Sequence, residues 1–318
     1  MPIGINFIYY IKMWYITTDL DSCINNGGLG GLGHMFYLYT TAYIIGYIFD
    51  LEHVYSPFKA AGADKHRLER TSVEYIHRVR RPSDVWNELF RFYQGEKKVE
   101  DLKCRIVNLP SGAPFSMFNL PQLTAFFKGF DRDEDILFLV KNSNRVLPGQ
   151  FYTWCQTEPS VDSDLYEKFI SMLRSKCAHQ VDRPDRSDRS DRGQLVMHIR
   201  RGDSVKEPLQ FYQSNLDKVL KDNPGITDIT ILSLGTSKQM SEIEDRFSSY
   251  NVKYLLNCDD HLSFKTMMNA DFLIGGHSSF PKIAALYNPY GKKYFRPLGG
   301  ATRCAEMPVG DPLWTVLP

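Results

Sequence analysis

Leu195-Val196-Met197-His198-Ile199 is an apolar run broken by one histidine, and Arg200-Arg201-Gly202-Asp203 follows it directly. A short continuous apolar run of this kind reads as a strand buried on both faces. The chain downstream repeats the pattern. A helix is expected over 211–220, closed by Asn223-Pro224-Gly225, then a strand over 228–234 and a helix over 238–247. Strands over 252–256, 271–275 and from 293 alternate with helices over 261–268 and 281–287. Strands alternating with helices predict a parallel sheet with helices on both faces, a Rossmann-like α/β domain over 193–318. Ligands of such sheets sit at the carboxyl ends of the strands, so the residues that follow each strand matter most.

Upstream, Asp185-Arg186-Ser187, Asp188-Arg189-Ser190 and Asp191-Arg192 form a low-complexity repeat with nothing apolar to bury. Residues 182–192 therefore read as an exposed linker or loop. The first half, 1–181, is less regular. A strand is expected over 13–17, then the glycine-rich stretch 25–34, then an apolar helix. A solvated basic helix is expected over 65–81, a helix capped by Asp84 over 84–93, a buried strand over 136–140 and a helix over 162–177.

The 318 residues suit roughly two domains of about 150 residues each. Hydrophobic residues at 43% and charged residues at 24% are an ordinary globular balance. A net charge of +1 gives no case for nucleic acid or a polybasic membrane surface as partner. Six scattered cysteines form no CxxC pair, which argues against a zinc ribbon or redox dithiol and for free thiols in a reducing compartment, with a single long-range disulfide left open. The apolar start lacks a basic n-region and a small-residue cleavage site, so no signal peptide is expected. The stretch 32–49 is just long enough to raise a membrane span, but its threonines and tyrosines suit a buried helix better. These features together predict a cytoplasmic protein without a transmembrane segment.

Arg200 and Arg201 at the end of a buried strand are costly without an anionic partner, and a guanidinium fork matches phosphate oxygens. Gly27-Gly28-Leu29-Gly30-Gly31-Leu32-Gly33-His34 lies between a strand and a helix, where backbone amides can approach an anion. Its Gly28-x-Gly30-x-x-Gly33 spacing also matches a dinucleotide fingerprint, with Glu52 as acidic partner, which keeps an NAD-dependent oxidoreductase as a rival. Asn269-Ala270-Asp271 through Gly275-Gly276-His277-Ser278-Ser279-Phe280 precedes a helix, and its hydroxyls and amides can hold phosphate or ribose oxygens. A plain N-cap role for Ser278 or Ser279 is the competing reading. Asp131-Arg132-Asp133-Glu134-Asp135 contains the Asp-x-Asp of metal-dependent sugar transfer, but it precedes its strand and reads as an acidic turn. No metal site is expected.

Three of these segments resemble one family. His198-Ile199-Arg200-Arg201-Gly202-Asp203 resembles the His-x-Arg-Arg-Gly/Thr-Asp motif of the fucosyltransferases that make α1,2 or α1,6 links or modify protein hydroxyls. Gly28 to Phe36 is similar to their N-terminal glycine loop, with His34 where an asparagine usually stands. Ala270-Asp271 through Ser278-Ser279-Phe280 resembles their C-terminal Ala-Asp…Ser-Ser-Phe motif. The resemblance implies two Rossmann-like domains facing a cleft, the GT-B arrangement. It also implies an inverting, metal-independent transfer from GDP-fucose, with no cofactor, to a glycan or glycoprotein hydroxyl. Arg200 would pair with the donor β-phosphate and His198 would hold the nucleoside side. Arg201 and Asp203 would order the pocket. Ser278, Ser279 and Phe280 would stand on phosphate and ribose, Asp271 would also belong to the donor site, and Gly30, Gly31, Gly33 and His34 would approach from the other domain.

The chain departs from that pattern in three places. Ser233-Leu234-Gly235-Thr236 replaces an acidic pair, Pro208 replaces a glutamate that serves as base in α1,6-type relatives, and His34 replaces the asparagine. A different sugar nucleotide, or a non-catalytic nucleotide-sugar-binding protein, therefore stays open. The base an inverting transfer needs is sought among Asp203, Glu207 and His34. Glu207 is expected to point into the cleft, Asp203 to compete with an ion pair to Arg201, and His34 to act only in a closed state.

Overall fold

The computed structural model describes residues 13–18, 32–54, 97–110, 120–131, 133–141, 144, 146–157, 159, 164–175, 193–201, 207–296, 307–308 and 310–317. The expected helices over 65–81 and 84–93, the 182–192 repeat, and Cys23, Cys177 and Cys304 lie outside these residues.

The architecture is α/β, with two parallel sheets. The first half carries β1 (Trp14–Thr18), α1 (Leu32–Phe49), β2 (Glu52–His53), β3 (Arg105–Asn108), α2 (Leu120–Lys128), β4 (Ile136–Val140), α3 (Pro148–Thr157) and α4 (Leu165–Ser175). Its four strands run in the order β2-β1-β4-β3, every pair parallel. The central strands β1 and β4 are almost wholly buried, as their apolar runs demand. The edge strand β3 is largely exposed, which is why its apolar pattern is too weak to announce a strand.

The second half carries β5 (Gly193–Arg200), α5 (Leu209–Asp222), β6 (Ile226–Leu234), α6 (Ser237–Phe247), β7 (Val252–Leu256), α7 (Asp260–Met268), β8 (Phe272–Gly275), α8 (Ser279–Tyr287), β9 (Lys292–Phe295) and β10 (Trp314–Val316). The six strands run β10-β9-β8-β5-β6-β7, again all parallel. Every strand expected downstream of residue 193 is present, with bounds shifted by at most two residues. The chain leaves β6, crosses outward to β7, then returns past β5 to β8. This reversal puts the carboxyl ends of β5 and β8 side by side at the switch point, where ligands of such sheets bind.

A single buried cluster joins elements of both halves. Phe36 of α1 meets Tyr287 of α8 edge to face at 5.5 Å, and Arg174 Nε of α4 donates to the Leu286 carbonyl at 3.0 Å. The helix over 32–49 is packed in this way, and among the described residues no helix is long and apolar enough to cross a membrane. Cys104, Cys155 and Cys258 are free, and burial pushes the Cys155 thiol up to about 12.

Candidate functional site

The carboxyl end of β5 delivers His198, Arg200 and Arg201. His198 stands opposite Gly275 in the β5–β8 register. Its ring meets Phe280 of α8 edge-on at 6.0 Å, and Phe280 in turn meets Phe264 of α7 at 5.8 Å. Burial, and then the Arg200 charge, push the imidazole down to about 4, so it is neutral at pH 7. A neutral imidazole has one donor and one acceptor nitrogen. Nδ1 of His198 is buried with no hydrogen-bond partner among the described residues. Buried polar atoms are almost always bonded, and this one lies at the carboxyl edge where ligands of such sheets sit.

Arg200 is half-buried at the strand's last position. Arg201 is 6% exposed and turns inward, its Nη1 donating to the carbonyls of Arg200 at 2.9 Å and Glu207 at 3.1 Å. Arg201 packs on Gly235, where a Cβ would lie 3.0 Å from the Arg201 Cβ and 2.9 Å from the Met240 methyl. Gly235 itself is held by the Asn257 side chain at 2.9 Å, and Thr236 caps α6 with Gln239 in a reciprocal box. The place of the missing acidic pair is thus a tightly built support for the arginine turn.

Ser278 precedes α8 in the N-cap position, yet its side chain makes no cap hydrogen bond. The competing reading of Ser278 as a plain cap therefore lacks its defining contact. Ser278 is buried and Ser279 half-buried, beside the first-turn amides of α8.

Glu207 differs from its expected pose. It is 1% exposed, and its carboxylate turns into the protein rather than into open space. Oε1 accepts from the His277 backbone N–H at 3.0 Å and sits against His277 Nδ1, while Oε2 accepts from the Tyr212 hydroxyl at 3.3 Å. Burial, and then the Glu207 charge, push the Tyr212 phenol upward, which keeps it a donor. Gly276 makes room for this cluster, since a Cβ there would lie 2.6 Å from both Glu207 Oε2 and the Tyr212 hydroxyl oxygen. His277 and Tyr212 were not legible as site residues. The only trace was a histidine between Gly276 and Ser278.

Asp271 is not brought to this edge. It precedes β8, and its Oδ2 accepts from the Gln194 N–H at 2.9 Å, splicing the amino ends of β5 and β8. A four-residue strand at about 3.3 Å per residue puts roughly 13 Å between its two ends. Gly30, Gly31 and Asp203 lie outside the described residues, while Gly33 and His34 fall in the first turn of α1. Glu52 of β2 pairs with Lys97 at 3.1 Å. In the acidic turn, Asp131 accepts from the Asp133 N–H at 3.2 Å, Asp135 accepts from the Met13 N–H at 2.9 Å, and Glu134 pairs with Arg105 at 3.1 Å.

No protein-family model matches the chain. No curated protein matches it either. Solved structures similar in chain course include a mutant of Arabidopsis thaliana FUT1 in complex with GDP, at 8% identity over 92% of this chain and 72% of that one, TM-score 0.42. A glycosyl transferase family 9 structure from Veillonella parvula is 9% identical over 97% of this chain and 86% of that one, TM-score 0.39. POFUT1 in complex with GDP is 12% identical over 90% and 98%, TM-score 0.33. Likeness of this degree says nothing of substrate.

Proposed function

We propose that this chain is a glycosyltransferase whose donor is a sugar nucleotide, held at the carboxyl edge of the second sheet. The observation that carries the reading is the buried Nδ1 of His198, without a hydrogen-bond partner among the described residues and set beside Arg200 and the amino end of α8. A neutral ring with one nitrogen waiting, a guanidinium and a helix amino end form a nucleoside-and-phosphate cradle. GDP-fucose is the donor that the His198–Asp203 motif fits best. His198 and Phe280 take the nucleoside side, and Arg200, Ser278 and Ser279 take the diphosphate. The glycine loop with His34 approaches from the first half. The acceptor is a glycan or glycoprotein hydroxyl. Transfer inverts the sugar's anomeric carbon and needs no divalent ion, because Arg200 and the α8 amides meet the departing charge. The free thiols of Cys104, Cys155 and Cys258 suit a reducing, cytoplasmic setting.

The test is a thermal-shift panel of sugar nucleotides and NAD, followed by transfer assays over an acceptor panel. A ligand that binds the folded state alone raises the melting midpoint. GDP-fucose should give the largest shift, and a shift with NAD alone overturns the reading. Arg200→Ala should lower kcat roughly a hundred- to thousandfold. Wild-type turnover by that variant, or turnover abolished by a chelator and restored by manganese, contradicts this use of Arg200.

One observation favours a second reading. The Glu207 carboxylate is already enclosed by His277 and Tyr212, so a binding protein without transfer activity would have the same pocket. Donor-dependent midpoint shifts with no product over any acceptor would establish it.

A further inference from the structure

Glu207 and His277 stand 70 residues apart in sequence and meet in the interior. The carboxylate is 1% exposed and the imidazole side chain 18% exposed. Among the described residues, the carboxylate's bonds come from one cluster: the His277 backbone N–H, His277 Nδ1 and the Tyr212 hydroxyl. The backbone carbonyl of Glu207 is held by Arg201, which also holds the carbonyl of Arg200. One residue therefore ties the arginine turn after β5 to the serine turn after β8.

The tie has a chemical consequence. A carboxylate at Nδ1 makes that nitrogen the donor, so a ring carrying a single proton has its lone pair on Nε2. Tyr212 remains protonated under its burial and cannot take the proton from Nδ1. The backbone of His277 is anchored to the same carboxylate, so the ring's axis is set as well as its tautomer. Gly276 before it has no side chain to push the carboxylate away, and Ser278 after it opens α8. The ring thus belongs to the strand end that holds Gly275 opposite His198.

We propose that Glu207 and His277 form a carboxylate–imidazole dyad in which His277 Nε2 is the base of the transfer reaction and Glu207 is its positioning residue. The inference rests on the glycosyltransferase reading. As the acceptor oxygen bonds to the sugar's anomeric carbon, its proton passes to Nε2. The bond from that carbon to the diphosphate oxygen breaks, and its electron pair leaves with the nucleoside diphosphate beside Arg200. The imidazolium formed lies against the Glu207 carboxylate, which stabilises it as the buried carboxylate of a catalytic triad does. Asp203 is then not required as base, and Glu207 acts through the ring instead of on the acceptor itself.

The experiment uses the full chain, GDP-fucose and the acceptor on which wild type shows transfer. His277→Ala should lower kcat about 10²–10⁴-fold with the donor dissociation constant within about threefold of wild type, and added imidazole should restore part of the rate. Glu207→Gln keeps one acceptor oxygen for Nδ1–H but no charge, and should lower kcat about tenfold with KM for the donor little changed. Its melting midpoint checks that it folds. Wild-type kcat in His277→Ala overturns the dyad while leaving the donor site standing. A loss in His277→Ala that imidazole does not restore, accompanied by an equal loss of donor affinity, assigns His277 to structure and also overturns it. Wild-type protein that binds GDP-fucose without transferring it overturns the dyad in favour of the binding-protein reading. Wild type that binds no sugar nucleotide overturns the glycosyltransferase reading itself, and that result comes from the binding panel before any variant is made.

Discussion

His198 couples the site to stability. Its imidazole is held down to about 4 by burial and by Arg200, against 6.5 for a free side chain. Between those values the unfolded chain takes up a proton that the folded chain refuses. Stability is therefore fully present above about pH 6.5 and is lost as pH falls toward 4. The shift is worth on the order of 3 kcal/mol at most. Midpoint-against-pH curves should fall more steeply from pH 6.5 to 4 in wild type than in His198→Gln, and parallel curves would contradict the assignment. Saturating sugar nucleotide should protect wild type more than the variant, because Nδ1 of His198 is a buried atom at the sheet edge without a partner among the described residues.

The β8–α8 turn depends on the absence of a side chain at position 276. A methyl group there would lie 2.6 Å from Glu207 Oε2 and from the Tyr212 hydroxyl oxygen. Neither atom can retreat without breaking its bonds in the buried cluster. Gly276→Ala should therefore cost about 1–3 kcal/mol, as overpacked sites do, and lower transfer activity with it. Melting and turnover measured on the same preparation check this, and a variant equal to wild type in both would show that the turn yields. The element that follows is a helix whose first residues, Ser278 to Phe280, were recognisable from sequence order. Its relation to Glu207 was not recognisable, because that contact is made across the sheet edge by a residue on another loop. The turn after β6 shows the same limit. Ser233 to Thr236 read only as a missing acidic pair, whereas folded it packs Gly235 under Arg201 and donates a hydroxyl from Ser233 to the Ile199 carbonyl at 2.7 Å.

At the scale of the whole molecule, one core cluster runs from Trp14 to Met307 and includes helices from both halves. Tyr287 is 1% exposed and stacks edge-on with Phe36 at 5.5 Å and with Phe264 at 5.8 Å. Truncating an aromatic side chain so placed typically costs about 3–5 kcal/mol. Tyr287→Ala should lose that much in urea unfolding, and fluorescence and circular dichroism should report one shared transition in wild type, because the halves share buried side chains. Two well-separated transitions in wild type would contradict a common core.

The alternation of apolar strand and helix after residue 193 determined the second sheet by itself, since a fully buried parallel strand must be apolar on both faces and leaves an unbroken run in the sequence. It also marked Arg200 and Arg201, because two charges at the end of such a run need a partner wherever the strand goes. The first sheet was only half legible. β1 and β4 are buried runs, but β2 is two residues long and β3 is an exposed edge, and such strands exist only through their pairing with β1 and β4. Tertiary structure alone decided that Asp271 lies at the amino end of β8, away from the sheet's carboxyl edge, that Glu207 is enclosed, and that His277 is its partner. Strand direction sets which end a residue occupies, and contacts between distant loops have no period along the chain from which to read them.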